Sequence, residues 1–176
     1  MSDRRFCASL ILLSPWVILS AAYINLDWLV LGGAFLPPAF GLWVLALKPQ
    51  ASGGLVLLWL WRAWRGRAAL SKLERVNLGL FVVCCAAWVL LVPHKDPLVN
   101  ASTALFPFAV LPGIWLLLRA FRRDDERLAL AVAPLLSPYV GFGSWVVMLP
   151  MLRGHKWSLA AFVFAGWIVA FAGRWF

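Results

Sequence analysis

The length of its apolar runs, and the prolines inside them, most constrain what this chain can fold into. Stretches dominated by Leu, Val, Ala, Phe and Trp cover residues 6–26, 28–47, 76–92, 98–118, 128–152 and 157–173. Most approach the roughly 20 residues a helix needs to cross ~30 Å of hydrocarbon. The run at 76–92 reaches only about 25 Å at the helical rise, and a seventh stretch, 51–64, about 21 Å. Pro15, Pro37, Pro38, Pro107, Pro112, Pro134 and Pro138 all fall inside the runs. Each lacks a backbone N–H and clashes with the turn before it. The expectation is an all-α, polytopic transmembrane helix bundle. It has six full spans plus one short span or re-entrant segment, several proline-broken helices, and a single integral membrane domain over residues 1–176.

Composition points the same way. Hydrophobic residues make up 64% and charged residues 13%, where soluble domains run at roughly 45–50% and 25%. A soluble enzyme, a disordered tail and a nucleic-acid module are poor readings, and membrane lipid is the expected partner. The net charge of +9 is then assigned to cytoplasmic loops rather than to nucleic acid. With 51–64 on the cytoplasmic surface, thirteen basic residues fall inside. Lys95, Arg153 and Lys156 fall outside. With 51–64 as a span, the division is ten to six, so charge bias alone favours six spans with both termini inside. Either way 65–75 and 119–127 are expected on the cytoplasmic side, and 93–97 and 153–156 outside. The expected location is a bacterial inner membrane. Residues 1–22 imitate a signal peptide, but the apolar run continues past Ala22 and a retained helix is expected.

Groups that carry chemistry are sparse. No acid lies deep in an apolar run, which argues against a proton relay. Cys7, Cys84 and Cys85 sit in apolar runs as small packing residues, and no Cys or His has metal-ligand spacing. No nucleophile-elbow, zinc-protease, Walker or dinucleotide signature is present, so neither metal nor cofactor is expected. The outward loops hold His94, Lys95 and Asp96, and Arg153, His155 and Lys156. His94, Asp96 and His155 form a candidate polar cluster for an anionic headgroup or phosphate, or simply mark solvated loops.

Three stretches together resemble a known family. The first runs from Gly41 to Lys48-Pro49-Gln50, continues through the apolar run 55–64, and ends in Arg65-Gly66-Arg67. The second is Leu136-Ser137-Pro138-Tyr139 with Trp145 and Leu149-Pro150, and the third is Leu13-Ser14-Pro15. They are similar to the C-terminal half of polyprenol-phosphate-dependent glycosyltransferases of family 87, which are mannosyltransferase-like and have the GT-C fold. The resemblance implies a seven-span arrangement and transfer of a hexose from a polyprenyl-phosphate sugar donor. It places Lys48 against the donor phosphate and Ser137, Tyr139 and Trp145 along the cavity. The family's catalytic acid belongs to its N-terminal half, so the resemblance implies a fragment or split-enzyme subunit working with a missing half or partner subunit. Two departures stand out. Ala22-Tyr23-Ile24-Asn25 replaces a Gly-Gln loop, and Val140-Gly141-Phe142-Gly143 replaces histidines common after the Ser-Pro pattern. Two other readings stay open: a non-catalytic helical subunit of a larger membrane complex, and a small-molecule transporter or binding subunit.

Overall fold

The computed structural model describes residues 3–22, 27–45, 47–66, 70–91, 108–137 and 142–172. These form α1 (Asp3–Leu12), α2 (Pro15–Ala22), α3 (Asp27–Gly33), α4 (Pro38–Leu45), α5 (Pro49–Trp64), α6 (Lys72–Leu91), α7 (Val110–Arg123), α8 (Glu126–Leu136), a 3-10 helix (Phe142–Met148), α9 (Leu149–Leu152) and α10 (Lys156–Ala172).

Among the described residues no helix is long and apolar enough to cross a membrane. This corrects the expectation of a polytopic transmembrane bundle, and with it the integral inner-membrane placement. The prolines supply much of the physical reason. The apolar run 6–26 is delivered as α1 and α2, parted at Pro15, and the run 28–47 as α3 and α4, parted before Pro38. The run 128–152 is divided three ways: α8 stops at Leu136, and the chain resumes as the 3-10 helix and α9. Ser137 is extended (φ −92°, ψ 126°), as expected for a residue followed by proline. The longest helix, α6, has 20 residues, but its first turns carry Lys72, Glu74, Arg75 and the buried Asn77. Its apolar part starts only at Leu78 and spans about 21 Å.

Serine hydroxyls repair two of the breaks. The amide missing at Pro15 would have bonded the Ile11 carbonyl, which instead accepts from Ser14 Oγ at 2.7 Å. The amide missing at Pro49 would have bonded the Leu45 carbonyl, which accepts from Ser52 Oγ at 2.9 Å. Trp167 Nε1 on α10 donates to the Leu13 carbonyl at 3.0 Å. The Ile11 and Leu45 carbonyls also accept longer bonds from the amides of Ser14 (3.2 Å) and Lys48 (3.3 Å). Of these bonds only Ser52–Leu45 is fully buried, where an unpaired acceptor would be costly.

Helix α8 is the centre of the molecule. It packs against α5, α7, α9 and the 3-10 helix, and every residue from Ala129 to Pro134 is buried. Asp125 starts it as N-cap, its carboxylate accepting from the amides of Arg127 (2.9 Å) and Leu128 (3.4 Å). Its alanines let neighbours come close. A Cβ at Gly54 of α5 would collide with the Ala129 carbonyl, and one at Gly113 of α7 with Leu136. The larger core lies beyond, where Trp16, Leu19, Leu45, Leu55, Val146 and Leu159 meet.

The apolar surplus in the composition is not all buried. Phe35, Trp64, Phe108, Leu111 and Trp157 are each more than 70% exposed.

Candidate functional site

The most developed polar constellation stands where the C-terminal ends of α5 and α7 meet the start of α8. Arg62, in the last turn of α5, is the lone cation in its apolar run. It reaches the turn between α7 and α8. There Asp124 adopts a left-handed conformation (φ 55°) that lets the chain reverse in two residues. Arg62 Nε donates to Asp124 Oδ1 at 2.7 Å, and Nη1 to Glu126 Oε1 at 2.5 Å. The third nitrogen, Nη2, donates to the Asp124 carbonyl at 3.3 Å. Trp59, one turn earlier, donates its indole N–H to the same Glu126 oxygen at 3.3 Å. Burial works against the Arg62 charge. The hydrogen bonds to Asp124 and Glu126, and their charges, more than offset it, so the guanidinium's pKa is raised.

An open cleft of about 640 Å³ lies over this network. Its acids are already engaged: Asp124 and Glu126 by Arg62, and Asp125 by the amides at the start of α8. Its remaining charged residues are Arg123, Arg127 and Arg153, all exposed, and none makes an ion pair among the described residues. Beside it, Arg65 lies 4.3 Å over the Trp61 ring, which stacks in turn on Phe121 at 5.1 Å. Among the described residues no group of three His, Cys, Asp or Glu is placed to hold a metal.

The cleft corrects the division of charge into two faces. Arg153 is expected outside, and Arg62, Arg123 and Arg127 inside, yet all four line one space. The physical reason is the hairpin within 128–152. Helix α8 runs away from the cleft, and the 3-10 helix with α9 packs back along it.

Of the residues expected to form the site, none of the described ones lines the cleft. Lys48 is the N-cap of α5, about 21 Å along that helix from Arg62 by helical rise. Ser137 caps the C-terminus of α8. Because α5 and α8 run antiparallel, Lys48 and Ser137 share the end of the pair away from the cleft. Trp145 lies in the 3-10 helix, facing Phe162 at 6.5 Å between ring centres. His155 is exposed between α9 and α10. Tyr139, His94 and Asp96 fall outside the described residues.

Sequence reasoning passed over Asp124, Asp125 and Glu126, and did not pair Arg62 with Asp124 and Glu126. Two signals were available. A lone cation inside an apolar run demands an anionic partner, and Asp-Asp-Glu directly before an alanine-rich run is a helix start. No known protein family, curated protein or solved structure matches the chain, so the family resemblance rests on its quoted residues alone.

Proposed function

We propose that the chain binds a phosphate-bearing sugar donor and that the arginine-lined cleft receives the phosphate. One observation carries this reading. Arg123, Arg127 and Arg153 converge on a cleft whose three carboxylates are already engaged by Arg62 and the start of α8. Guanidinium groups suit phosphate because their planar donors match two of its oxygens at once. The volume lies within the roughly 300–1,000 Å³ usual for small-molecule sites. That the ligand is a polyprenyl-phosphate sugar comes from the resemblance at Lys48-Pro49-Gln50 and Leu136-Ser137-Pro138. The reading is of a binding subunit that presents a donor. The acid needed to activate an acceptor is left to a partner.

The test is calorimetric titration of the chain with a water-soluble short-chain prenyl phosphate hexose, beside inorganic phosphate. The double variant R127A/R153A is expected to bind the sugar phosphate at least about tenfold more weakly, since charge-assisted hydrogen bonds contribute about 1.5–3 kcal/mol each. Lys48→Ala is expected to bind as the wild type does. Loss in Lys48→Ala with no loss in the arginine variant would move the site to the far end of α5. No binding to either ligand would remove the reading.

A further inference from the structure

Helix α7 has two faces of different character. Gly113, Leu116 and Ala120 are buried against its neighbours. On the opposite side Leu111, Trp115 and Leu118 are 75%, 58% and 49% exposed, with Phe108 just before the helix at 82%. At spacings of three and four residues these four form one stripe along the helix. Arg122 continues the stripe into the last turn, and Arg119 flanks it with its guanidinium 5.0 Å over the Trp115 ring. The stripe is therefore apolar for three turns and cationic at its end. Near that end Trp61 of α5 stacks on Phe121 and carries the exposed Trp64 and Arg65 against its own ring.

We infer that this face of α7 docks on the surface of an anionic lipid bilayer. The helix lies in the interface and does not cross it: at 14 residues it spans about 21 Å. A helix with an apolar stripe, an interfacial Trp and flanking Arg settles with the stripe roughly 5–10 Å into the boundary between headgroups and chains. Charge selects the occupant. Arg119 and Arg122 close one end of the stripe with Arg65 nearby, no acid of α7 shares it, and the whole chain is at +9. An apolar protein partner would leave those cations uncompensated. Headgroup phosphates pair with them, while Trp64 and Trp115 sit where their rings are apolar and their N–H groups meet water. This inference stands apart from the reading of the cleft, because Arg127 and Arg153 do not belong to the face.

The test is co-sedimentation of the full chain with vesicles of phosphatidylcholine alone, and of phosphatidylcholine with 30% phosphatidylglycerol. The expected result is a strong preference for the anionic vesicles that weakens with added salt. R119Q/R122Q should lower the partition coefficient about thirtyfold, from about 1 kcal/mol per basic residue near the surface. L111Q/L118Q should lower it by a similar factor, with unchanged circular dichroism showing that the fold persists. R127A/R153A should partition as wild type does, whatever it does to sugar-phosphate binding. Equal binding to both vesicle types would overturn the inference, as would wild-type partition by either α7 variant. So would self-association without lipid that L111Q/L118Q abolishes, which would make the occupant a second copy.

Discussion

The two sides of α8 solve the same packing problem differently. Toward α5 and α7 the chain uses small residues. Gly54, Gly113, Ala120 and Ala129 bring backbones together, and the Arg62–Asp124–Glu126 network closes one end. On the other side, where the 3-10 helix carries the packing on to α2 and α2 packs on α10, it uses large aromatics. Trp16 stacks on Phe162 at 4.2 Å between ring centres and meets Phe142 at 5.8 Å. The N–H groups of Trp16 and Trp145 are buried with no acceptor among the described residues. The first side takes its specificity from close backbone approach and a polar clamp, and the second takes its stability from volume. The polar clamp is also what leaves neighbouring arginines exposed at a cleft, so the candidate site arises on the small-residue side.

The largest effect is expected from breaking the aromatic side. Trp16 is only 3% exposed, and Trp16→Ala should destabilise by about 3–5 kcal/mol through the cavity it leaves. Trp16→Phe keeps the ring stack and deletes an unpaired donor, so it should cost only about 1 kcal/mol. Urea unfolding of both variants measures the difference. Equal losses would mean that the indole N–H is engaged and that volume is not what this side relies on.

Next comes the close approach of α5 to α8. Gly54→Val must push the two helices apart, because even a Cβ would meet the Ala129 carbonyl. A loss of about 3 kcal/mol is expected from overpacking. Its neighbour Gly53 has nothing within 4 Å of a new Cβ. Gly53→Ala should therefore gain about 0.5–1 kcal/mol from helix propensity alone. Thermal melts of the pair give opposite signs if the spacing is set at Gly54, and the same sign if it is not.

Much of the helical content was legible in the sequence, because the apolar runs and their flanking charges mark where helices begin and end. The length of each helix was not. A 21-residue apolar run with a central proline has the same composition as a membrane span. Only the structure shows the sharp breaks, with the Ser14 and Ser52 hydroxyls bonded to the carbonyls beside them. The reversal within 128–152 was hidden for a related reason: Ser137-Pro138 reads as a kink or as a turn, and packing against α8 decides. The cleft was least legible. Arg62 and Arg153 are 91 positions apart in the chain, and the charge tally assigned them to opposite faces. Their convergence follows from the hairpin.

A smaller loss than those of Trp16→Ala and Gly54→Val tests the clamp. Arg62→Met keeps the apolar stem and removes the guanidinium, leaving the Asp124 and Glu126 carboxylates side by side. Those carboxylates are 41% and 42% exposed, so water continues to solvate them. The expected loss is about 1–2 kcal/mol, not the larger penalty of a stranded buried charge. Salt separates the two sides of the molecule. Added salt should narrow the gap between wild type and Arg62→Met by screening, while the cost of Trp16→Phe should be insensitive to it. The sign with pH is fixed by the raised pKa of Arg62. A cation held more tightly in the folded state contributes fully below its unfolded pKa and loses that contribution only as pH rises through the folded one. Arg62's own titration therefore leaves the gap flat from neutral to mildly alkaline pH. In the double variant W16F/R62M the two losses should add to within about 0.5 kcal/mol. A larger coupling would mean that α8 transmits packing from its aromatic side to the clamp, and that the two sides act as one unit.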